Sequence, residues 1–223
     1  MQRRTFLKNT TLAATAASIG GAAVAQDKAE AEAKPKERPG SNRGVIYKAV
    51  KTGGTLKPDQ LKKLQDLGFD GVEGVSPGVK DKAAYMEVVR ASGMPVHGVV
   101  DMVHWKQRLS SPDPAVREIG RKALEQAVID AKEFGGSSVL LVPGRVGGDD
   151  ETHDHVWERS ITEIRKVIPT ASKLGIHILI ETVWNGFCLK PETFRDYLDE
   201  IGNPWVGAYF DIGNMQKFAP AHE

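Results

Sequence analysis

Ile176-His177-Ile178-Leu179-Ile180-Glu181-Thr182-Val183-Trp184-Asn185 is an apolar run that stops at a carboxylate and gives way to polar and aromatic residues. Bounded by Gly175 and Gly186 and rich in isoleucine, it reads as a buried strand of a parallel sheet rather than as a helix. Glu181 then stands at the C-terminal end of that strand. A second run repeats the plan: Trp205-Val206-Gly207-Ala208-Tyr209-Phe210-Asp211 follows a helical stretch and a Gly202-Asn203-Pro204 turn, and it too ends in an acid. Two neighbouring strands thus deliver two carboxylates to one rim. Parallel α/β folds place their ligands there, so the pair points to a divalent metal or to acid/base chemistry. A lone acid at a strand end is about as often a helix N-cap, and two in equivalent places weigh against that reading.

Working outward, a strand-helix rhythm begins at Gly44. Residues 44–50 read as a strand, 58–69 as a helix with Leu61, Leu64 and Gly68 on one face, and 71–75 as a strand. A helix over 81–92 ends at Gly93, and a strand follows over 96–102. The longest helix is predicted over 114–134, with Asp113 as N-cap, Pro114 at its first position, and Val116, Ile119, Ala123, Leu124, Ala127, Ala131 and Phe134 as its buried stripe. A strand over 138–142 and a helix over 156–174 come next, with a kink expected at Pro169 because an interior proline costs about 3 kcal/mol. A helix over 192–201 separates the two acid-ending strands.

Strand starts near 44, 71, 96, 138, 177 and 205 make six strand-helix steps, each return long enough for a right-handed crossover. Chemistry-bearing residues on successive strand ends, and no glycine-rich phosphate fingerprint after the first strand, favour a TIM (β/α)8 barrel over a doubly wound sheet. An eight-unit barrel takes about 250 residues. Only 198 follow Ala25, so the expectation is a partial barrel over 44–223 lacking its seventh and eighth units, unstable and inactive by itself.

Residues 1–25 read as a targeting segment: Arg3-Arg4 and Lys8, an alanine-rich run, then Ala23-Val24-Ala25 as a cleavage site. The paired arginines resemble a twin-arginine export signal, which implies a periplasmic or exported protein with no membrane anchor after cleavage. Residues 26–43, dense in Lys, Glu, Ala and Pro, read as a disordered linker. Beyond residue 25 the chain has 27 basic and 29 acidic residues, so bulk charge does not call for nucleic acid. One cysteine, Cys188, excludes an intramolecular disulfide.

Gly68-Phe69-Asp70-Gly71-Val72-Glu73, Leu174-Gly175-Ile176-His177-Ile178-Leu179-Ile180-Glu181 and Phe210-Asp211-Ile212-Gly213-Asn214 together resemble the xylose isomerase-like TIM barrels, a family of sugar isomerases and epimerases, hydroxypyruvate isomerases, inosose dehydratases and the endonuclease IV group. The resemblance implies a divalent ion (Mn, Mg, Co or Zn) held by a Glu ending the fifth strand and an Asp ending the sixth, with a His and a Glu from the seventh and eighth. Glu181 and Asp211 match the first two. It also implies that Glu181 is catalytic, removing a proton beside a carbonyl to give a metal-stabilised enediolate. Asn214 stands where the family's ketose epimerases carry a His, and Gly186-Phe187-Cys188 where they carry a further Glu, which leaves the broader isomerase or epimerase reading. A lyase or dehydratase, and a non-catalytic sugar-binding barrel, are the alternatives. A homo-oligomer is left open.

Other residues are candidates for binding a sugar. His104 and Trp105, after the third strand, suit a hydroxyl hydrogen bond and stacking on a sugar face. Trp184, Asn185 and Asn214 would line the same pocket. Glu73 either binds a hydroxyl or pairs with Lys48 or Lys51. Arg145 either holds an anionic group or neutralises Asp149 and Asp150. His153-Asp154-His155 has metal-ligand spacing but sits where a helix should start, which favours a polar cap. His177 reads as a core residue.

Overall fold

The structure, a computed structural model, describes residues 46–217. The predicted leader and linker lie outside them. Within them the elements alternate strictly: β1 (Ala49–Lys51), α1 (Pro58–Asp66), β2 (Gly71–Ser76), α2 (Lys82–Ser92), β3 (Val96–Asp101), α3 (Pro114–Glu133), β4 (Ser138–Leu141), α4 (His153–Leu174), β5 (His177–Glu181), α5 (Pro191–Ile201), β6 (Val206–Tyr209) and α6 (Ile212–Met215). The strands form one sheet in the order β1-β2-β3-β4-β5-β6, all parallel. A doubly wound sheet would reverse its order at a switch point, whereas an order that follows the chain is that of a (β/α) barrel.

Helix boundaries follow local signals. Asp81 caps α2 by accepting from Ala84 N, and Asp113 caps α3 by accepting from Ala115 N, with Pro114 at the first helical position. Gly93, Gly175 and Gly202 end α2, α4 and α5 in the left-handed conformation that glycine adopts without a Cβ clash. α4 starts earlier than the sequence pattern suggested. Thr152 and His155 cap it reciprocally, Thr152 Oγ1 accepting from His155 N and His155 Nδ1 accepting from Thr152 N. The His153-Asp154-His155 segment is therefore a helix start, and His153 stacks on Phe187 at 4.9 Å. α4 is one helix with Pro169 inside it.

The sheet separates two environments. Val72, Val99, Val139, Leu141, Ile178 and Ile180 face outward and share one buried core with Leu124, Ala127 and Val128 of α3 and Ile161, Ile164 and Val167 of α4. The opposite face lines the barrel interior, where the register sets side chains in rows: Val75, Val100, Leu140 and Leu179 form one, and Lys51, Glu73, Gly98, Ser138 and His177 the row below. That face carries most of the polar groups considered below.

Four expectations are corrected. β1 is only three residues long, and Tyr47 before it is 76% exposed, because the strand pairs on one side only. Ile119 is 53% exposed, since Gly120 and Val128 join the buried stripe of α3 and turn Ile119 away from the sheet. The sixth strand ends at Tyr209 rather than Asp211. His177 is exposed, not core: its row faces the barrel interior, and its ring stacks on Trp205 at 4.9 Å near the strand's start.

Gly120 makes the tightest approach of a helix to the rim. A Cβ there would lie 2.1 Å from Gln107 O in the loop after β3. Gly120→Ala should therefore cost about 1–3 kcal/mol of stability in urea unfolding through overpacking, although alanine is the better helix former.

Candidate functional site

Because every strand runs the same way, every C-terminal end reaches one rim. Glu181 ends β5, and Asp211 follows β6 by two residues. Asp211 is an N-cap after all, its Oδ1 accepting from Asn214 N at 2.9 Å at the start of α6. It serves the carboxylate pair as well. Asn214 Nδ2 donates to Asp211 Oδ2 at 2.9 Å and to Glu181 Oε1 at 3.3 Å, so one amide spans both acids. Burial pushes the Glu181 carboxyl up to about 7, helped by a hydrogen bond with Asp211, the Asp211 charge and the Glu73 charge, and opposed by Lys51.

One layer deeper lies Glu73. It is the third residue of β2 rather than a strand-end residue, and it is 7% exposed. Neither Lys48 nor Lys51 pairs with it. Tyr209 Oη donates to Glu73 Oε1 at 3.1 Å and His97 Nε2 lies 3.8 Å from the same oxygen. Tyr209 is the ladder partner of Glu181, so this bond joins β6 to β2 across the interior. Burial raises the Glu73 carboxyl, while His97, Tyr209 and Lys51 hold it down.

On the same rim His104 is 6% exposed, its Nδ1 accepting from Val142 N at 3.3 Å. Burial, with Lys51 in support, lowers its pKa to about 4, so the ring is neutral and its proton is on Nε2, which is left as a donor. Trp105 meets it edge-on at 5.5 Å and is 47% exposed, an available stacking surface.

Trp184 is a latch on the β6 side: Nε1 donates to Asn214 O at 3.0 Å, and Lys217 Nζ sits 4.4 Å from the ring centroid. Asn185 is 4% exposed, and its amide is taken up by backbone, Nδ2 donating to Gly144 O and Oδ1 accepting from Phe187 N. It ties the loop after β5 to the loop after β4 instead of lining an open pocket. Arg145 is exposed, and its charge helps to hold the Glu151 carboxyl down. Cys188 is buried, and burial pushes its thiol up to about 12, away from nucleophilic use.

The pattern of the sequence did not disclose three features. Arg108 holds Glu151 through Nε and Nη2 at 2.8 and 2.7 Å, Ser110 Oγ donates to the same carboxylate, and the loops after β3 and β4 are thereby clamped. Burial would raise Glu151, and the bonds from Arg108 and Ser110 overcome this, leaving it below the ordinary carboxylate range. Tyr209 is the second; its place two residues before Asp211 was the available signal. Asp101 is the third, 1% exposed and pushed by burial up to about 7. Its ladder partner is Ser76, whose hydroxyl bonds Asp130 of α3, so Asp101 faces the helices and not the carboxylate pair.

A sequence profile described as the xylose isomerase-like TIM barrel matches residues 61–222. The chain belongs to the xylose isomerase-like TIM barrel family. Its membership accords with the strand order and with the acids at the ends of β5 and β6. Among curated relatives, L-ribulose-5-phosphate 3-epimerase UlaE of Escherichia coli K12 is 22% identical over 184 residues, covering 78% of this chain and 64% of the relative. Solved members of similar fold include D-allulose 3-epimerase from Methylomonas sp. (TM-score 0.64, 18% identity, 78% of this chain and 65% of that one) and 3-keto-D-glucoside 4-epimerase YcjR from E. coli (TM-score 0.63, 15% identity, 73% and 68%). The chain spans about 64% of the length of the curated relatives it matches.

The raised Glu181 carboxyl has a measurable consequence. Between about 4.5 and 7 the folded protein holds a proton that the unfolded chain releases, so this group's contribution to stability is lost as pH rises through about 7. In chelator-treated protein, Glu181→Gln should flatten that part of the stability profile, more stable than wild type at pH 8 and converging with it below pH about 4.5. Parallel profiles at all pH values would show that Glu181 titrates normally.

Proposed function

We propose that this chain carries part of the site of a divalent-metal-dependent isomerase or epimerase acting on a ketose or keto-sugar. The observation that carries the reading is the shared hydrogen-bond cluster of Glu181, Asp211 and Asn214 at adjacent strand ends. The relatives support it, since each of the three described above bears the name of a sugar epimerase.

The donor set fits a hard divalent ion. Glu181 and Asp211 are oxygen ligands whose mutual repulsion a cation relieves, and oxygen ligands suit manganese or magnesium. Among the described residues no third His, Cys, Asp or Glu joins them. When bound, such an ion stabilises negative charge developing on a substrate oxygen. Glu181 supplies the proton chemistry. Its carboxylate, ending β5 on the rim, can take a proton from the carbon beside a carbonyl and return it. Asn214 holds the carboxylate in place, His104 Nε2 and Trp105 suit a sugar hydroxyl and a sugar face, and Tyr209 and Glu73 form the floor. The Arg3-Arg4 leader is consistent with action in the periplasm. No helix among the described residues is long and apolar enough to cross a membrane.

Deuterium incorporation from heavy water into a panel of ketoses and keto-glycosides tests the reading. The full chain with added manganese should exchange a proton beside the carbonyl. Glu181→Gln should slow exchange by about 10²–10⁴-fold, the usual scale of a lost general base. Chelation should abolish exchange and manganese restore it. Absence of exchange with every sugar would overturn the proposal, and an ultraviolet-absorbing unsaturated product would identify a dehydratase instead.

A further inference from the structure

The two site acids are spanned by a side chain whose own element is weakly held. Asn214 belongs to α6, a helix of four residues of which none is buried; Ile212 and Gly213 are exposed, and Asn214 and Met215 are half-buried. A single turn of this length has no stability of its own. Asp211 caps it, accepting from Asn214 N at 2.9 Å, but that cap belongs to the same segment and travels with it. Hydrogen bonds that tie α6 to the rest of the sheet must come from elsewhere. Among the described residues there are two, Asn214 Nδ2 to Glu181 Oε1 at 3.3 Å and Trp184 Nε1 to Asn214 O at 3.0 Å.

The bond from Trp184 is the shorter, and its acceptor is a carbonyl at the end of a helix, where regular partners run out. Lys217 N also reaches that oxygen, though only at 3.4 Å. Burial does not account for where the indole lies, since Trp184 is 59% exposed. It meets the α6 segment at a second point, with Lys217 Nζ 4.4 Å from the ring centroid. Glu181 ends β5 and Trp184 follows in the loop directly after it, so one short stretch carries both an acid of the pair and the group that holds α6 beside it. An asparagine side chain turns about two bonds only, and the place of its amide follows that of its backbone. Release of the Asn214 carbonyl would therefore draw the amide away from Glu181 first, because its 2.9 Å bond to Asp211 lies within its own segment.

We propose that Trp184 is a positioning residue for the carboxylate pair: by holding the Asn214 carbonyl, its indole N–H keeps the Asn214 amide astride Glu181 and Asp211 and the two acids set for a shared cation. The cation and the proton transfer rest on the isomerase reading, whereas the hydrogen-bonded arrangement does not. The role belongs to the N–H. A platform for stacking on a sugar would need only the ring.

The test compares full-length wild type with Trp184→Phe, which keeps a ring beside Lys217 and removes the N–H, and with Trp184→Ala, which removes both. In chelator-treated protein the NMR signals of the Asn214 side-chain amide should move toward those of a free asparagine in both variants. Tm should fall by no more than about 2–4 °C, the scale of one hydrogen bond in a chain of this size. Manganese affinity, read by calorimetry, should drop about 10–100-fold in Trp184→Phe, as when a group that holds a metal ligand in place is lost. With a ketose that wild type turns over, kcat for deuterium exchange should fall in Trp184→Phe while KM stays the same. Unmoved amide signals, or a manganese affinity in Trp184→Phe equal to that of wild type, would overturn the assignment and leave the isomerase reading intact. A raised KM with unchanged kcat would overturn it as well and make Trp184 a sugar contact. If wild type binds no manganese, the isomerase reading falls and the positioning role stands or falls by the amide signals. Should neither variant fold, wild type decides: the Trp184 indole proton should exchange with solvent several-fold more slowly than that of free indole, and exchange at the free rate would overturn the assignment.

Discussion

One register holds the candidate site together: Glu181 beside Tyr209 in the parallel ladder of β5 and β6. Strand side chains alternate between faces, so a slip of one residue would send Tyr209 and Asp211 toward the helices and leave Glu181 alone in the interior. Register is secured from the other face. Ile178 and Ile180 are essentially inaccessible beneath α4, and moving them inward would expose them while burying Glu181 against apolar helices. Apolar packing on the outer face of β5 thus fixes Glu181 toward the interior. The parallel arrangement adds the rest, since right-handed crossovers bring every strand back in the same direction and gather every strand end on one rim.

The interior is electrostatically costly. Burial first, and then the neighbouring acids Asp211 and Glu73, make Glu181 keep its proton up to about neutrality. Such a group destabilises the fold above its pKa, and an arrangement that only had to fold would do better with apolar residues there. The cost is tolerated because other contacts determine the geometry. Tyr209 reaches across to Glu73, Asn214 bridges the two upper acids, and Trp184 holds the Asn214 backbone from the neighbouring loop. Two strands four steps apart in the sheet are joined by the first of these, a contact that requires the sheet to curl, as barrel stagger demands.

The rim loops are built more rigidly than loops of their length need be. The fork of Arg108 on Glu151 fixes the loop after β3 to that after β4, and Asn185 fixes the latter to the loop after β5. A bidentate pair of this geometry has more structural value than an exposed ion pair, because removing Arg108 would leave the buried Glu151 charge with Ser110 alone as its side-chain partner. The clamp lies beside His104 and Trp105, and so the scaffold supports the wall of the site as well as its floor.

By itself the sequence determined the alternation of strands and helices, their parallel sense, and the acid ending β5 with a second shortly after β6, because hydrophobic period, capping residues and glycine stops are local records of which face is buried. It also carried the helix-start reading of His153-Asp154-His155. What it could not carry was choice of partner. For Glu73 the sequence offers a sugar hydroxyl or a nearby lysine, and the residue bonds Tyr209, 136 residues away. Asn185 bonds Gly144 O of the preceding loop, the turn after Arg145 is tied back by Gly147 N donating to Glu151 O, and His177 is exposed although its strand is apolar. Asp211 both caps α6 and accepts from the Asn214 amide that also reaches Glu181, although the sequence presented capping and pairing with Glu181 as alternatives. Only the tertiary structure decided these points. Hydrogen-bond partners within a barrel are set by the curvature and stagger of the sheet, which no stretch of chain encodes until the strands are side by side.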